Sequence, residues 1–175
     1  VSVIKEELVA HMLCAGILKN ELEGRSGPVM DKISNAEEKF TSSLEFNLTG
    51  AQKRTWDEIR SDLTGNLPMR RLLQGDVGSG KTLVGALSAL HAHENGWQTA
   101  FMCPTEILAE QHHLSLSEWF SSLGLRVELL TGSTNALDRK EIISKLKSGE
   151  INILVGTHAL FQEDVFFNCL GLTVI

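Results

Sequence analysis

The chain has 175 residues, 42% of them apolar and 22% charged, and a formal net charge of −6, enough for one domain with a proper core plus an appendage. No apolar run approaches the roughly 20 residues of a bilayer span, and no basic flank leads into a continuous apolar stretch at the N-terminus, so neither a membrane segment nor a secretory signal is expected. The acidic balance counts weakly against a nucleic-acid partner, although basic spots remain at Arg70-Arg71, Arg139-Lys140 and Lys145/Lys147, and three well-separated cysteines, Cys14, Cys103 and Cys169, point to reduced thiols in a cytoplasmic protein rather than to a disulfide frame or a zinc site.

Residues 3–22 predict a helix, because Ile4, Leu8, His11, Ala15, Leu18 and Leu22 recur in steps of four and three along one face. His11 in that stripe reads as a packed or boundary residue. A turn or hinge at 24–28 follows, then a polar stretch over 29–43 with room for a second short helix, so residues 1–44 read as a helical connecting element. From Leu44 onward strands and helices alternate. Thr49 opens a helix to about Leu63, with Trp56, Ile59 and Leu63 inward. A strand is predicted at 70–74, a helix at 80–95 ending at Gly96, a strand at 98–103, and a helix from Pro104-Thr105 to about 122. Next come a strand at 126–131, a helix at 135–148 ending at Gly149, and strands at 151–155 and 172–175. Lys145 and Lys147 in the last turn of the 135–148 helix suit its dipole. The alternation predicts an α/β fold over residues 45–175, a parallel sheet covered on both faces, with ligands at the carboxyl ends of the strands.

Between the first strand and the next helix stands Gly75-Asp76-Val77-Gly78-Ser79-Gly80-Lys81-Thr82, a complete G-x-x-x-x-G-K-[ST] phosphate loop. A glycine-rich turn lets backbone N–H groups converge on phosphate oxygens, and the helix start adds partial positive charge. Lys81 can reach the β- and γ-phosphates, and the Thr82 hydroxyl can hold Mg²⁺. The bland alternative is a glycine-rich connection, but the Lys-Thr pair has no turn-forming reason to be there.

Four further stretches carry polar groups at useful places. Gln52 offers the acceptor and donors that an adenine N6/N7 edge needs, with Phe46 to lie against the base; equally, Thr49-x-x-Gln52 fits a capping box, and both readings stand. Thr105, opening a helix after Pro104, presents a hydroxyl and unpaired N–H groups to a phosphate, or is an ordinary N-cap. His112 and His113 lack a visible third metal ligand. Leu130-Thr-Gly132 and Val155-Gly-Thr-His-Ala-Leu160 end successive strands. With Thr105 they form a candidate row of phosphate contacts along one nucleic-acid strand, each singly being an ordinary strand-end turn. A phosphate-loop ATPase also needs an acid on a neighbouring strand to hold Mg²⁺. No apolar run within the chain ends in one, and Leu172-Thr-Val-Ile175 is placed to begin such a strand.

Together these residues closely resemble the RecG family of superfamily-2 DNA helicases. The likeness rests on Phe46-x-Leu-Thr-x-x-Gln52, the run from Pro68 through Thr82, Pro104-Thr-Glu-Ile-Leu-Ala-Glu-Gln-His112, Leu130-Thr-Gly132 and Val155-Gly-Thr-His-Ala-Leu160, in order over residues 45–175. The Gly-Asp-Val-Gly core is shared with transcription-repair coupling translocases. The resemblance implies a RecA-like lobe that binds ATP and Mg²⁺ in a cytoplasmic motor acting on branched DNA in recombination and repair, by fork reversal and Holliday-junction migration. It implies that 75–82, Gln52 and Phe46 hold nucleotide, that Thr82 holds Mg²⁺, and that Thr105, Gln111, Gly132, Thr157 and His158 couple to DNA. It also implies partners absent from these residues: an Asp-Glu-x-His motif after Ile175, a second lobe with an arginine finger, and a wedge domain, to which 1–44 would connect. Taken alone the 175 residues are expected to be inactive. A phosphate-loop ATPase that moves protein, and a non-catalytic remnant or binding module, are the readings from other classes.

Overall fold

The computed structural model describes residues 26–175; the helix expected over 3–22, with His11 and Cys14, lies outside them. In chain order come α1 (Ala36–Ser43), α2 (Gly50–Leu63), α3 (Lys81–Glu94), β1 (Gln98–Met102), α4 (Glu106–Phe120), β2 (Val127–Leu130), α5 (Ala136–Ser148), β3 (Ile153–Gly156) and β4 (Leu170–Val174). Single 3₁₀ turns lie at Ser121–Leu123 and His158–Phe161. The strands form one parallel sheet in the order β2-β3-β1-β4.

Both faces of this sheet are covered, as the crossover helices require. Ile153 and Val155 point to a layer made by α2, α3 and α4, where Leu83, Leu87, Leu116 and Phe120 are buried. Leu154 points the other way, to Leu130, Ile142, Leu146 and Leu160 beneath α5. The middle of α3 is buried on all sides from Ala86 to Ala92, which makes it the central helix of its layer. Gly156 allows the close approach of β3 to β2: a Cβ there would run into the Leu130 carbonyl.

A buried amide ties the sheet to its connections. Gln98 is 2% exposed. Its side-chain N–H₂ donates to the carbonyls of Leu146 (2.9 Å) and Ile151 (2.7 Å), and its carbonyl accepts from the Cys169 N–H at 2.9 Å. A polar group at such depth is tolerated because every strong partner is present.

The segment before α2 is packed onto the same layer. The Met30 N–H donates to Leu63 O at 3.0 Å, and the Met30 carbonyl lies 2.8 Å from His91 Nε2. Phe40 on α1 stacks on Phe120 at 5.2 Å and meets Trp119 edge-on. Met30 and Phe40 are both 0% exposed, each worth about 1.5–3 kcal/mol of burial.

One expected element is not formed. Residues 70–74 carry no strand ladder. Between them and β4 runs a cleft of about 370 Å³, lined by Arg71, Leu72 and Leu73 on one side and Leu172–Ile175 on the other. A strand exists only where its N–H and C=O groups meet a neighbour's, and here the facing edge lies across the cleft. Arg71 is held instead by Asp62 and Glu58 of α2, at 2.8 and 2.6 Å. Leu72 is left 80% exposed. The remaining strands and helices lie within a few residues of their expected bounds.

Candidate functional site

The phosphate loop is built by backbone conformation. Gly78 and Gly80 adopt φ of +81° and +79°, a region that side chains with a Cβ disfavour. The Ser79 N–H donates to Asp76 O at 3.1 Å, closing the turn. A Cβ on Gly75 would sit 2.7 Å from Ser79 Oγ, and one on Gly80 would collide with Gln52 Nε2. Lys81 Nζ folds back beneath the loop and donates to the carbonyls of Gly75 (2.7 Å) and Asp76 (2.8 Å). Residue 80 gives α3 no side-chain cap. Among the described residues no acceptor bonds the N–H groups of Gly78, Gly80, Lys81 or Thr82. Unpaired amides at a helix start, beside an exposed ammonium, are the donor set that a polyphosphate requires. The residues therefore fit a nucleotide, and the Thr82 hydroxyl in the first turn of α3 is a hard oxygen donor of the kind that would hold a divalent cation.

Gln52 joins this loop from α2. Its N–H donates to Thr49 Oγ1 and its Oε1 accepts from Thr49 N–H, at 3.2 and 2.8 Å, which completes the capping box. Its Nε2 donates to Ser79 O at 2.8 Å. Phe46 is placed elsewhere. It is half exposed and lines a separate cavity with Ser43, Leu44, Glu118 and Trp119, rather than the cleft that Lys81 and Thr82 line.

Of the other candidate residues, Thr105, Gly132, Thr157 and His158 follow the carboxyl ends of strands, while Gln111 stands in the second turn of α4. Leu130 of β2, Gly156 of β3 and Met102 of β1 are register partners, so the chain leaves three neighbouring strands at one level. Gly132, Thr157 with His158, and Thr105 follow from those ends. Thr105 caps α4, its Oγ1 accepting from Leu108 N–H at 3.4 Å. Gly132, His158, Thr105 and Gln111 are exposed and Thr157 is half-buried.

Two side chains near this edge, both inside motifs named above, carry contacts that the residue order did not assign to them. His112 lines the cleft with Lys81, Thr82 and Cys103, its ring 5.4 Å from Phe101. Burial pulls its imidazole below the ordinary value, and burial raises the Cys103 thiol. Glu106, in the first turn of α4, accepts from the N–H and Oγ–H of Ser133. That contact spans 27 residues and leaves no local signal.

Residues 49–175 match the DEAD/DEAH box helicase family model. The ATP-dependent DNA helicase RecG of Thermotoga maritima is 47% identical over 170 residues, which cover 97% of this chain and 22% of that protein. RecG of Synechocystis sp. is 56% identical over 138 residues, 79% of this chain and 17% of that protein. A solved structure of RecG bound to a three-way DNA junction matches with a TM-score of 0.88 and 47% identity, over 96% of this chain and 23% of that one. The chain thus spans about a fifth of the length of the relatives it matches. Its fold is the RecA-like helicase lobe, and the chain belongs to the DEAD/DEAH box helicase family, matching RecG helicases along nearly its whole length.

Proposed function

We propose that this chain is the ATP-binding lobe of a motor that couples ATP hydrolysis to movement on branched DNA, serving fork reversal and Holliday-junction migration in cytoplasmic recombination and repair. The observation that carries the reading is the shared placement of two features. Lys81 and Thr82 at the start of α3 line one cleft with Met102, Cys103 and Pro104 at the end of β1, and β1, β3 and β2 end at one level ahead of Thr105, Thr157 and Gly132.

In this reading the amides of Gly78, Gly80 and Lys81 receive the phosphate tail. Lys81 exchanges the neutral Gly75 and Asp76 carbonyls for charged phosphate oxygens, which turns an ammonium–carbonyl bond into an ion pair. Gln52 holds the loop through Ser79 and offers its remaining amide hydrogen to the base. Phe46 stays in the proposal as a base contact that needs the 44–48 segment to shift toward the loop. Thr82 would hold Mg²⁺, which would supply neutralisation of the charge that develops on the phosphate oxygens. The second lobe and the wedge domain are proposed partners. Thr105, Gln111, Gly132, Thr157 and His158 are proposed to meet one DNA strand through hydroxyls, ring nitrogen and backbone, which requires no strong basic excess. Among the described residues no helix is long and apolar enough to cross a membrane.

The test is ATP hydrolysis by the full-length protein without DNA, with linear duplex and with three-way or forked junctions. Stimulation greatest with junctions is expected. Hydrolysis indifferent to DNA sinks the reading and favours a motor for another polymer.

A further inference from the structure

Glu106 presents an electrostatic puzzle on the edge just described. A carboxylate beside a phosphate track repels it, yet here it stands in the first turn of α4, next to Thr105. Its two oxygens are both engaged. Oε1 accepts from Ser133 N–H at 3.1 Å and Oε2 from Ser133 Oγ–H at 2.9 Å. Ser133 Oγ has one hydrogen and has given it to Glu106, so its 2.8 Å contact with Thr131 Oγ1 must be donated by Thr131. Thr131 is buried, and its N–H donates to Thr134 Oγ1 at 3.0 Å. The chain of bonds thus runs from the end of β2, through the 131–134 turn, to the start of α4. Gly132 lies inside the clamp: a Cβ there would sit 3.3 Å from Glu106 Oε1. The amides of Glu106 and Ile107 meet no acceptor among the described residues.

We propose that Glu106 is a positioning residue for DNA. It locks the Gly132 turn against the α4 start, so that the Gly132 N–H, which meets no acceptor among the described residues, and the amides of Glu106 and Ile107 keep a fixed spacing for the phosphates of one strand. The inference rests on the reading that DNA lies along this edge. It makes a prediction opposite in sign to simple electrostatics. If Glu106 were only a nearby negative charge, removing it would tighten DNA binding. If it is the clamp, removing it frees the turn and weakens binding, despite the gain in net positive charge.

The experiment titrates a three-way DNA junction into the full-length protein, reading ATP hydrolysis and binding anisotropy. In Glu106→Ala the DNA concentration for half-maximal hydrolysis is expected to rise about tenfold or more, the effect of losing charge-assisted bonds. The rate at saturating DNA and the melting temperature are expected to stay near wild type. Glu106→Gln, which keeps an acceptor for Ser133 N–H, should lose less. Ser133→Ala, a mild change that preserves folding, should weaken binding alone and add little to Glu106→Ala, since both break one unit. Binding by Glu106→Ala at wild-type strength or tighter overturns the inference. So does a fall in melting temperature and saturating rate with the half-saturation point unmoved. A Thr105→Ala/Thr157→Val double variant separates the two claims. If it weakens binding while Glu106→Ala does not, only the clamp fails; if neither weakens binding, DNA does not lie on this edge and both fail.

Discussion

Gln52 and Ser79 are joined by a 2.8 Å hydrogen bond from the Gln52 side-chain amide to the Ser79 carbonyl. The same side chain accepts from Thr49 N–H at 2.8 Å. One residue therefore caps α2 and anchors the phosphate loop. Any side chain at position 80 would strike it, so loop conformation and helix cap are mechanically linked.

Substitution at Gln52 should separate these two tasks. Gln52→Glu keeps the capping acceptor, and a carboxylate suits a helix start, but it faces the Ser79 carbonyl with a second acceptor. Wild-type stability and about tenfold weaker nucleotide binding are expected. Gln52→Ala should lose the nucleotide affinity and also about 1 kcal/mol of stability through the cap. Nucleotide titration and urea denaturation of the two variants check this; wild-type nucleotide affinity in Gln52→Glu would refute the anchoring role.

Gln98 should be among the costliest polar positions. Gln98→Leu leaves the Cys169 N–H and the Leu146 and Ile151 carbonyls without their buried partner. A loss of about 2–5 kcal/mol is expected. Chemical denaturation measures it, and a change under about 0.5 kcal/mol would mean that water or a rearranged loop satisfies those groups.

Acid should weaken the lobe through two half-buried imidazoles. Burial lowers His112, and burial, opposed by Glu94 and aided by Lys32, lowers His93, each from an ordinary value of 6.5. The unfolded chain then binds protons that the folded one refuses. Stability is full above the unfolded value and declines as pH falls through about 6.5 toward the folded one. His112→Gln should flatten the decline in melting temperature between about pH 7.5 and about pH 5.5. An unchanged slope would place the lost stability on other groups.

Much of this site could be read from residue order, because its signals are local. The loop at 75–82 is defined by glycines, lysine and threonine in one run. The Thr49–Gln52 box, the Thr105 cap and the Gly149 stop of α5 rest on contacts within a few residues. What could not be read depends on partners remote in sequence. Leu72 and Leu73 look like strand residues, but a strand needs a ladder, and β4 lies across a cleft. Phe40 and Met30 sit in a polar stretch, and only Phe120, Leu63 and His91, far along the chain, make them buried. The Glu106–Ser133 and Gln98–Ile151 bonds cross 27 and 53 residues, beyond any periodicity.

The most direct measurement is titration of a fluorescent ATP analogue into the full-length protein and its Lys81→Ala variant. Lys81 Nζ lies under the loop with Gly75 and Asp76 as its only partners among the described residues. Saturable binding by the wild-type protein is expected, weakened about ten- to a hundred-fold in the variant. Equal affinity in the two proteins, or none in either, would contradict a phosphate-binding role for residues 75–82.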